Sequence, residues 1–199
     1  MTTGSGDVVE VLHVCVGNIC RSPMAERLLA LHLRRTGAAG SVRSVSAGTG
    51  PWHEGDPMQP PAAREVSARG GDPSGFKARW LRPEQIEAAG LILTATAVQA
   101  RDVLELVPTA LPRTFVLGEA ARLLTGPSSV PPAADIADLV RHLHELRSTE
   151  PWRPVDDLDD PYGRDQSFYS AIADRVEAAV AALAAVLPRP PADRRAAQR

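Results

Sequence analysis

The chain has 199 residues and a formal net charge of −2, with 22 Lys and Arg against 24 Asp and Glu, a balance that argues against a nucleic-acid or membrane-surface binder. Its two cysteines, Cys15 and Cys20, are too few for a disulfide scaffold or a four-ligand zinc site, so no metal or other cofactor is expected. The length suffices for one domain with its own apolar core. Met1–Asp7 lacks the basic and apolar pattern of a signal peptide, and no stretch approaches the roughly 18 apolar residues that span a bilayer. The expectation is a soluble cytoplasmic protein, a monomer by default, with no membrane or nucleic-acid partner.

In chain order, residues 1–7 form a flexible lead. Val8–Val16 is β-branched and apolar and reads as a buried strand. Gly17–Arg21 breaks it, and Ser22-Pro23 opens a helix, Ser as N-cap and Pro at the first helical position. That helix runs to about Arg35 and closes at Gly37. Val42–Ala47 is a second strand, Gly48–Pro61 a Gly- and Pro-rich loop carrying Trp52 and His53, and Ala62–Arg69 a helix. After the Gly70–Gly75 turn come a short helix at Pro83–Ala89, a third strand at Leu91–Thr94, a helix at Val98–Leu106 and a fourth strand at Thr114–Leu117. Strands alternating with helices predict an α/β fold, a four-stranded parallel sheet flanked by helices in three layers. In an open sheet of that kind the site lies beyond the carboxyl ends of the strands.

The stretch 118–155 is harder to read. It predicts a short helix at Glu119–Leu124, a loop at Thr125–Ala133 and an amphipathic helix at Asp135–Arg147. An acidic loop, Asp156–Asp160, then leads into Pro161-Tyr162-Gly163 and a last helix at Gln166–Val186. The domain is expected to occupy 8–187, and 188–199, rich in Pro and Arg, to be a disordered tail.

The main chemical signal is Cys15-Val16-Gly17-Asn18-Ile19-Cys20-Arg21-Ser22-Pro23. An isolated Cys and Arg at this spacing would read as a buried thiol and a solvated charge. Here they bracket a loop between a strand and a helix N-terminus, where unpaired N–H groups and the helix dipole favour an anion. Gly17 is expected to let the backbone turn so that the N–H groups of residues 16 to 21 converge on a phosphate. Arg21 offers a planar fork to two phosphoryl oxygens. These groups favour the thiolate at Cys15 and make it a nucleophile. Ser22 can hydrogen-bond the sulfur, and Asn18 is expected to hold the loop's shape.

The segment resembles the signature of the low-molecular-weight protein tyrosine phosphatases, down to Met24-Ala25-Glu26. The similarity continues at Ser46-Ala47-Gly48-Thr49, Lys77-Ala78-Arg79 and Asp160-Pro161-Tyr162. The resemblance implies a four-stranded parallel sheet with the phosphate loop after the first strand, Cys15 as nucleophile, and phosphate binding by Val16, Gly17, Asn18, Ile19, Cys20 and Arg21. It further implies Asn18 and Ser22 as loop supports, no metal, and a phosphotyrosine-containing protein as substrate.

Cysteine attack expels an oxyanion that needs a proton, and the later hydrolysis needs a base for water. One carboxyl can serve both in turn. Asp156, Asp157, Asp159 and Asp160 are candidates. Asp160 matches the family's Asp-Pro position, and crowding by its acidic neighbours is expected to make it hold a proton more readily. By resemblance Trp52 and Tyr162 form opposite walls of the crevice. Gly163 replaces a second aromatic residue and leaves it more open. Phe76 stands where some relatives carry a histidine tied to the loop asparagine, so Asn18 needs another anchor. Thr94-Ala95-Thr96-Ala97-Val98-Gln99 replaces a segment that commonly carries an aspartate. Cys20 could form a reversible disulfide with Cys15 or be a small core residue, and His13 reads as a core histidine.

Three other functions remain to be weighed. An arsenate reductase of this fold relays oxidation through further cysteines, which the chain lacks after Cys20. Protein-arginine phosphatases of this type carry threonine where this chain has Ile19. A phosphopeptide-binding module without turnover would not need Cys15, Arg21 and Asp160 together.

Overall fold

The structure, a computed structural model, describes residues 8–127 and 131–189. The expected lead at 1–7 and nearly all of the tail lie outside those residues. Four strands, β1 (Val9–Cys15), β2 (Val42–Gly48), β3 (Ala89–Thr94) and β4 (Thr114–Val116), form one sheet in the order β2-β1-β3-β4. Every pairing is parallel, from Val9↔Val42 to Cys15↔Gly48 on one side of β1 and Val14↔Thr94 on the other. The crossovers from β1 and from β3 therefore depart towards opposite edges. The carboxyl end of β1 lies at that divide, where doubly wound sheets place their ligands.

Among the described residues seven α-helices flank the sheet. They are α1 (Arg21–Thr36), α2 (Pro60–Ala68), α3 (Pro83–Ala88), α4 (Ala97–Leu106), α5 (Leu117–Thr125), α6 (Ile136–Thr149) and α7 (Gln166–Val186). The β1 side chains alternate between two cores. Val11 packs with Met24, Leu28, Leu29 and the α7 residues Ile172, Val176 and Val180. Leu12 and Val14 meet Ile86, Ile92 and Val103 beneath α3 and α4. Burial on both faces explains why the central strands β1 and β3 are largely apolar rather than alternating.

Helix α1 begins at Arg21, with Cys20 as an N-cap residue that makes no side-chain cap. Ser22, expected to cap it, sits inside the first turn because its hydroxyl is engaged by Asn18 and Cys15. Gly37 ends the helix in the left-handed conformation, as read from sequence. In the stretch after β4, α5 and α6 form where two helices were expected. Asp135 caps α6 by accepting from the Asp138 N–H at 2.8 Å.

Candidate active site

The loop from Cys15 to Arg21 folds around its own N–H groups. Its carbonyls are drawn outward: Cys15 O accepts from Thr49 N–H, Val16 O from Gly50 N–H and Ile19 O from Gln59 N–H, each at 2.9 Å. The N–H groups of Gly17, Asn18, Ile19 and Cys20 donate to no other protein group among the described residues. They are the donors an anion nest requires.

The turn falls on Asn18 rather than Gly17. Asn18 has φ 55°, the single positive φ outside glycine among the described residues. Asparagine tolerates this conformation, and here the side chain secures it. Asn18 Nδ2 donates to Ser22 Oγ and Ser46 Oγ, both at 2.8 Å, and Oδ1 accepts from the Arg79 N–H at 2.8 Å. Ser46 in turn donates to Glu26 Oε2 at 2.6 Å. Burial raises the proton affinity of Glu26, against the opposing pull of the Ser46 hydroxyl and of Arg27 and Arg79. Asn18 is fully buried with both side-chain polar atoms paired, so the network fixes one loop geometry. The backbone of Arg79 supplies the anchor that Phe76 cannot. Phe76 is buried under the Arg27 guanidinium instead.

Cys15 Sγ lies 3.0 Å from Ser22 Oγ. The Arg21 guanidinium, 5% exposed, is held on two sides. Its Nη1 donates to Leu158 O at 3.0 Å, and its Nη2 pairs with Asp160 Oδ2 at 2.6 Å. Asp160 is half exposed, and its other oxygen accepts from the Tyr162 N–H at 3.2 Å. Two of the neighbouring aspartates turn to partners other than Asp160. Asp156 turns inward onto Arg122, at 2.9 and 3.0 Å. Asp157 accepts from the Ala97 N–H and Trp152 Nε1, both at 3.0 Å. Asp157 thus supplies a carboxylate to the N-terminus of α4, beside the Thr96 cap.

These residues line a crevice of about 200 Å³ that brings together Cys15, Val16, Gly17, Ile19, Cys20, Arg21, Asp160, Trp52 and Tyr162. Asn18 and Ser22 lie behind it. Trp52 and Tyr162 are both exposed at its rim. His53 also lines the crevice, and sequence reasoning left it unassigned. Its Nδ1 is 2.9 Å from Asp56 Oδ2 and its ring centroid 6.3 Å from that of Tyr162. The one signal for it was its place next to Trp52. Cys20 and Cys15 are both free thiols. Cys20 Sγ contacts the Tyr169 hydroxyl at 3.5 Å, and burial pushes its thiol up to about 12.

Residues 10–120 match the family model for low molecular weight phosphotyrosine protein phosphatases. Low molecular weight protein-tyrosine phosphatase A of Mycobacterium tuberculosis is 42% identical over 95 residues, 48% of this chain and 57% of that protein. A low molecular weight protein-tyrosine-phosphatase of Bacillus subtilis, YfkJ, is 33% identical over 90 residues, 45% of this chain and 58% of that protein. The match therefore spans less than two thirds of these curated relatives, and the family-model match ends at residue 120, before the acid loop. Among solved structures, the Erwinia amylovora tyrosine phosphatase amsI superposes with a TM-score of 0.67 at 22% identity, over 95% of this chain and 99% of that one. The YwlE arginine phosphatase from Geobacillus stearothermophilus does so with 0.63 at 25%, over 88% and 90%.

Proposed function

The chain belongs to the low molecular weight phosphotyrosine protein phosphatase family, and from that premise we propose that it hydrolyses phosphotyrosine in a protein substrate through a cysteinyl-phosphate intermediate. One observation carries the reading. Cys15 Sγ lies 3.0 Å from the Ser22 hydroxyl and lines one crevice with the Arg21–Asp160 pair and with loop residues whose N–H groups have no protein partner among the described residues.

The phosphoryl group enters the nest, its charge replaces the Asp160 carboxylate as partner of Arg21 Nη2, and the released carboxylate takes up a proton from solvent. Nη1 stays on the Leu158 carbonyl and keeps the guanidinium plane in place. The Cys15 thiolate attacks phosphorus, the P–O bond to the phenol breaks, and Asp160 gives its proton to the departing oxygen. Asp160, now a carboxylate, takes a proton from water as that water attacks phosphorus. The S–P bond breaks, and the returning thiolate is met by the Ser22 hydroxyl. Backbone donors already in position stabilise charge without reorganising, which is where most of the acceleration arises.

The apolar and aromatic lining, Ile19 with Trp52, His53 and Tyr162, suits a phenyl ring better than a guanidinium and favours tyrosine over arginine. Among the described residues no helix is long and apolar enough to cross a membrane, and a cytoplasmic location belongs to the proposal. The test is hydrolysis of an aryl phosphate by the native protein with a chelator present, set against Cys15→Ser. Turnover that survives chelation and disappears in the variant is expected. Turnover unchanged in Cys15→Ser would defeat the reading.

A further inference from the structure

His13 lies two residues before Cys15 and takes no part in the chemistry above. Its neighbours Leu12 and Val14 point towards α3 and α4, so alternation along β1 turns His13 towards α1, on the face that also carries Cys15. The ring is 1% exposed, and burial drives its proton affinity down to about 3, so it stays neutral. A neutral imidazole has one donor and one acceptor, yet neither ring nitrogen has a hydrogen-bond partner among the described residues. A buried polar group in that condition is destabilising. For packing alone, an apolar side chain would serve better.

Beside the ring is a small cavity offering about 10 Å³ to water, lined also by Arg21, Ser22, Thr94 and Leu158. That is the room one water molecule needs. Two groups of the phosphate loop in this lining have capacity to spare. Arg21 Nε is buried without a partner among the described residues. Ser22 Oγ accepts from Asn18, and its single O–H is shared between Cys15 Sγ at 3.0 Å and Ala47 O at 3.4 Å, which leaves one lone pair.

We propose that His13 is a positioning residue of the phosphate loop, acting through one buried water that it shares with Arg21 Nε and Ser22 Oγ. The water accepts from Arg21 Nε–H and from the imidazole N–H, and donates to Ser22 Oγ. A hydroxyl that accepts another hydrogen bond becomes a stronger donor, so Ser22 holds the Cys15 thiolate more firmly. Arg21 is fixed at Nε as well as at Nη1. The inference rests on the cysteine-dependent reading, and its measurements do not depend on the substrate's identity.

Alkylation of Cys15 by iodoacetamide, followed across pH by peptide mapping, is compared in the native protein, His13→Phe and His13→Gln. Inhibitory or direct binding of inorganic phosphate is measured alongside. The loss of one hydrogen bond predicts about fivefold slower alkylation near neutral pH and about fivefold weaker phosphate binding in His13→Phe. Glutamine, which keeps a donor and an acceptor, restores most of both. Unchanged alkylation and phosphate binding in a folded His13→Phe overturn the proposal, as does a loss that glutamine does not recover. If the phenylalanine variant fails to fold, a crystal structure of the native protein that resolves waters decides the matter. A water shared by His13 and Arg21 Nε supports the proposal, and its absence from well-defined density overturns it. A native protein that binds phosphate but turns over no aryl phosphate would defeat the function proposed above while leaving His13 open to the same measurements.

Discussion

The phosphate loop and the acid loop meet at Arg21, and they are held in contrasting ways. Between Cys15 and Ser22 the described side chains are buried or partly buried, and Asn18, Ser22, Ser46 and Glu26 form a closed hydrogen-bond network. Between Asp156 and Gly163 only Asp156, Leu158 and Pro161 are buried, and Asp160 is tied to the phosphate loop by one ion pair at 2.6 Å. The acid loop is anchored from behind. Arg122 on α5 grips Asp156, and Arg175 on α7 donates to Val155 O and Asp157 O at 2.8 and 2.9 Å. Gly118 lets the loop approach α5, since a Cβ there would come within 2.2 Å of Asp156 O. The difference teaches a division of labour. Anion binding is prebuilt in the cradle, whereas proton transfer depends on a carboxylate that must leave Arg21 before it can act.

The sharpest way to break that division is Asp160→Asn. A general acid contributes about 10²–10⁴ in rate, so kcat for an aryl phosphate is expected to fall by about 10³. The inhibition constant for inorganic phosphate should hold steady or improve, because Arg21 Nη2 loses its resting partner. Steady-state kinetics with phosphate as inhibitor check both. A large loss of phosphate affinity would show that the two loops are one unit.

Next in size is Arg122→Met, which strands the Asp156 carboxylate, 3% exposed, without its guanidinium. Breaking a buried pair by removing one partner costs about 3 kcal/mol or more. Denaturant unfolding should register that loss, and kcat should drop further than phosphate affinity if the anchor serves the acid loop alone. Arg122 also reaches Glu150 at 3.2 Å and Pro151 O at 3.0 Å. It therefore joins the stretch before the acid loop to α5, which gives that longer segment a mechanical role.

How far the sequence foretold these two regions differs in the same sense. Cys15, Arg21 and the strand–loop–helix order were readable because local pattern dictates them, and α7 spans Gln166–Val186 as its periodicity indicated. β1 and β3 were readable because burial on both faces leaves largely apolar runs. Asn18 as the left-handed residue was not, since its support comes from Ser46 and the Arg79 backbone, distant in the chain. Nor were the directions of Asp156 and Asp157, which depend on α5 and on the Ala97 N–H. Asp156 and Asp157, next to Asp160 in the acidic run, each turn to a partner that the run itself does not reveal. His53 enters the crevice through the fold of its loop, which no periodicity reports.

A third prediction concerns the pH dependence of the cradle's foundation. His13 in the folded chain is held neutral, with its proton affinity lowered from 6.5 to about 3. In the unfolded chain it binds a proton below about 6.5. Stability from this group is therefore complete above 6.5 and is lost progressively as pH falls towards 3, at up to about 1.4 kcal/mol per pH unit. Unfolding free energies measured between pH 7 and 4 should show this slope in the native protein and a shallower one in His13→Phe. Equal slopes would mean that the ring takes up a proton without unfolding.

The smallest effects belong to the crevice rim, where they refine the comparison without touching either loop's chemistry. Trp52 is 73% exposed, and an aromatic contact of this kind is worth about 0.5–1.5 kcal/mol. Trp52→Ala is expected to raise KM for an aryl phosphate about fivefold with little change in kcat. Gly50→Ala provides the control that removes no aromatic group. A Cβ at Gly50 would fall 1.8 Å from Trp52 Cζ3, so the indole must swing away, while the Gly50 N–H that holds Val16 O at 2.9 Å is retained. If the rim acts only as a wall for the ring, Gly50→Ala reproduces the KM effect of Trp52→Ala and leaves inorganic phosphate inhibition unchanged. If phosphate inhibition weakens as well, the wall and the cradle are mechanically joined through the Gly50–Val16 hydrogen bond, and the rigidity of the phosphate loop extends outward to the substrate's ring.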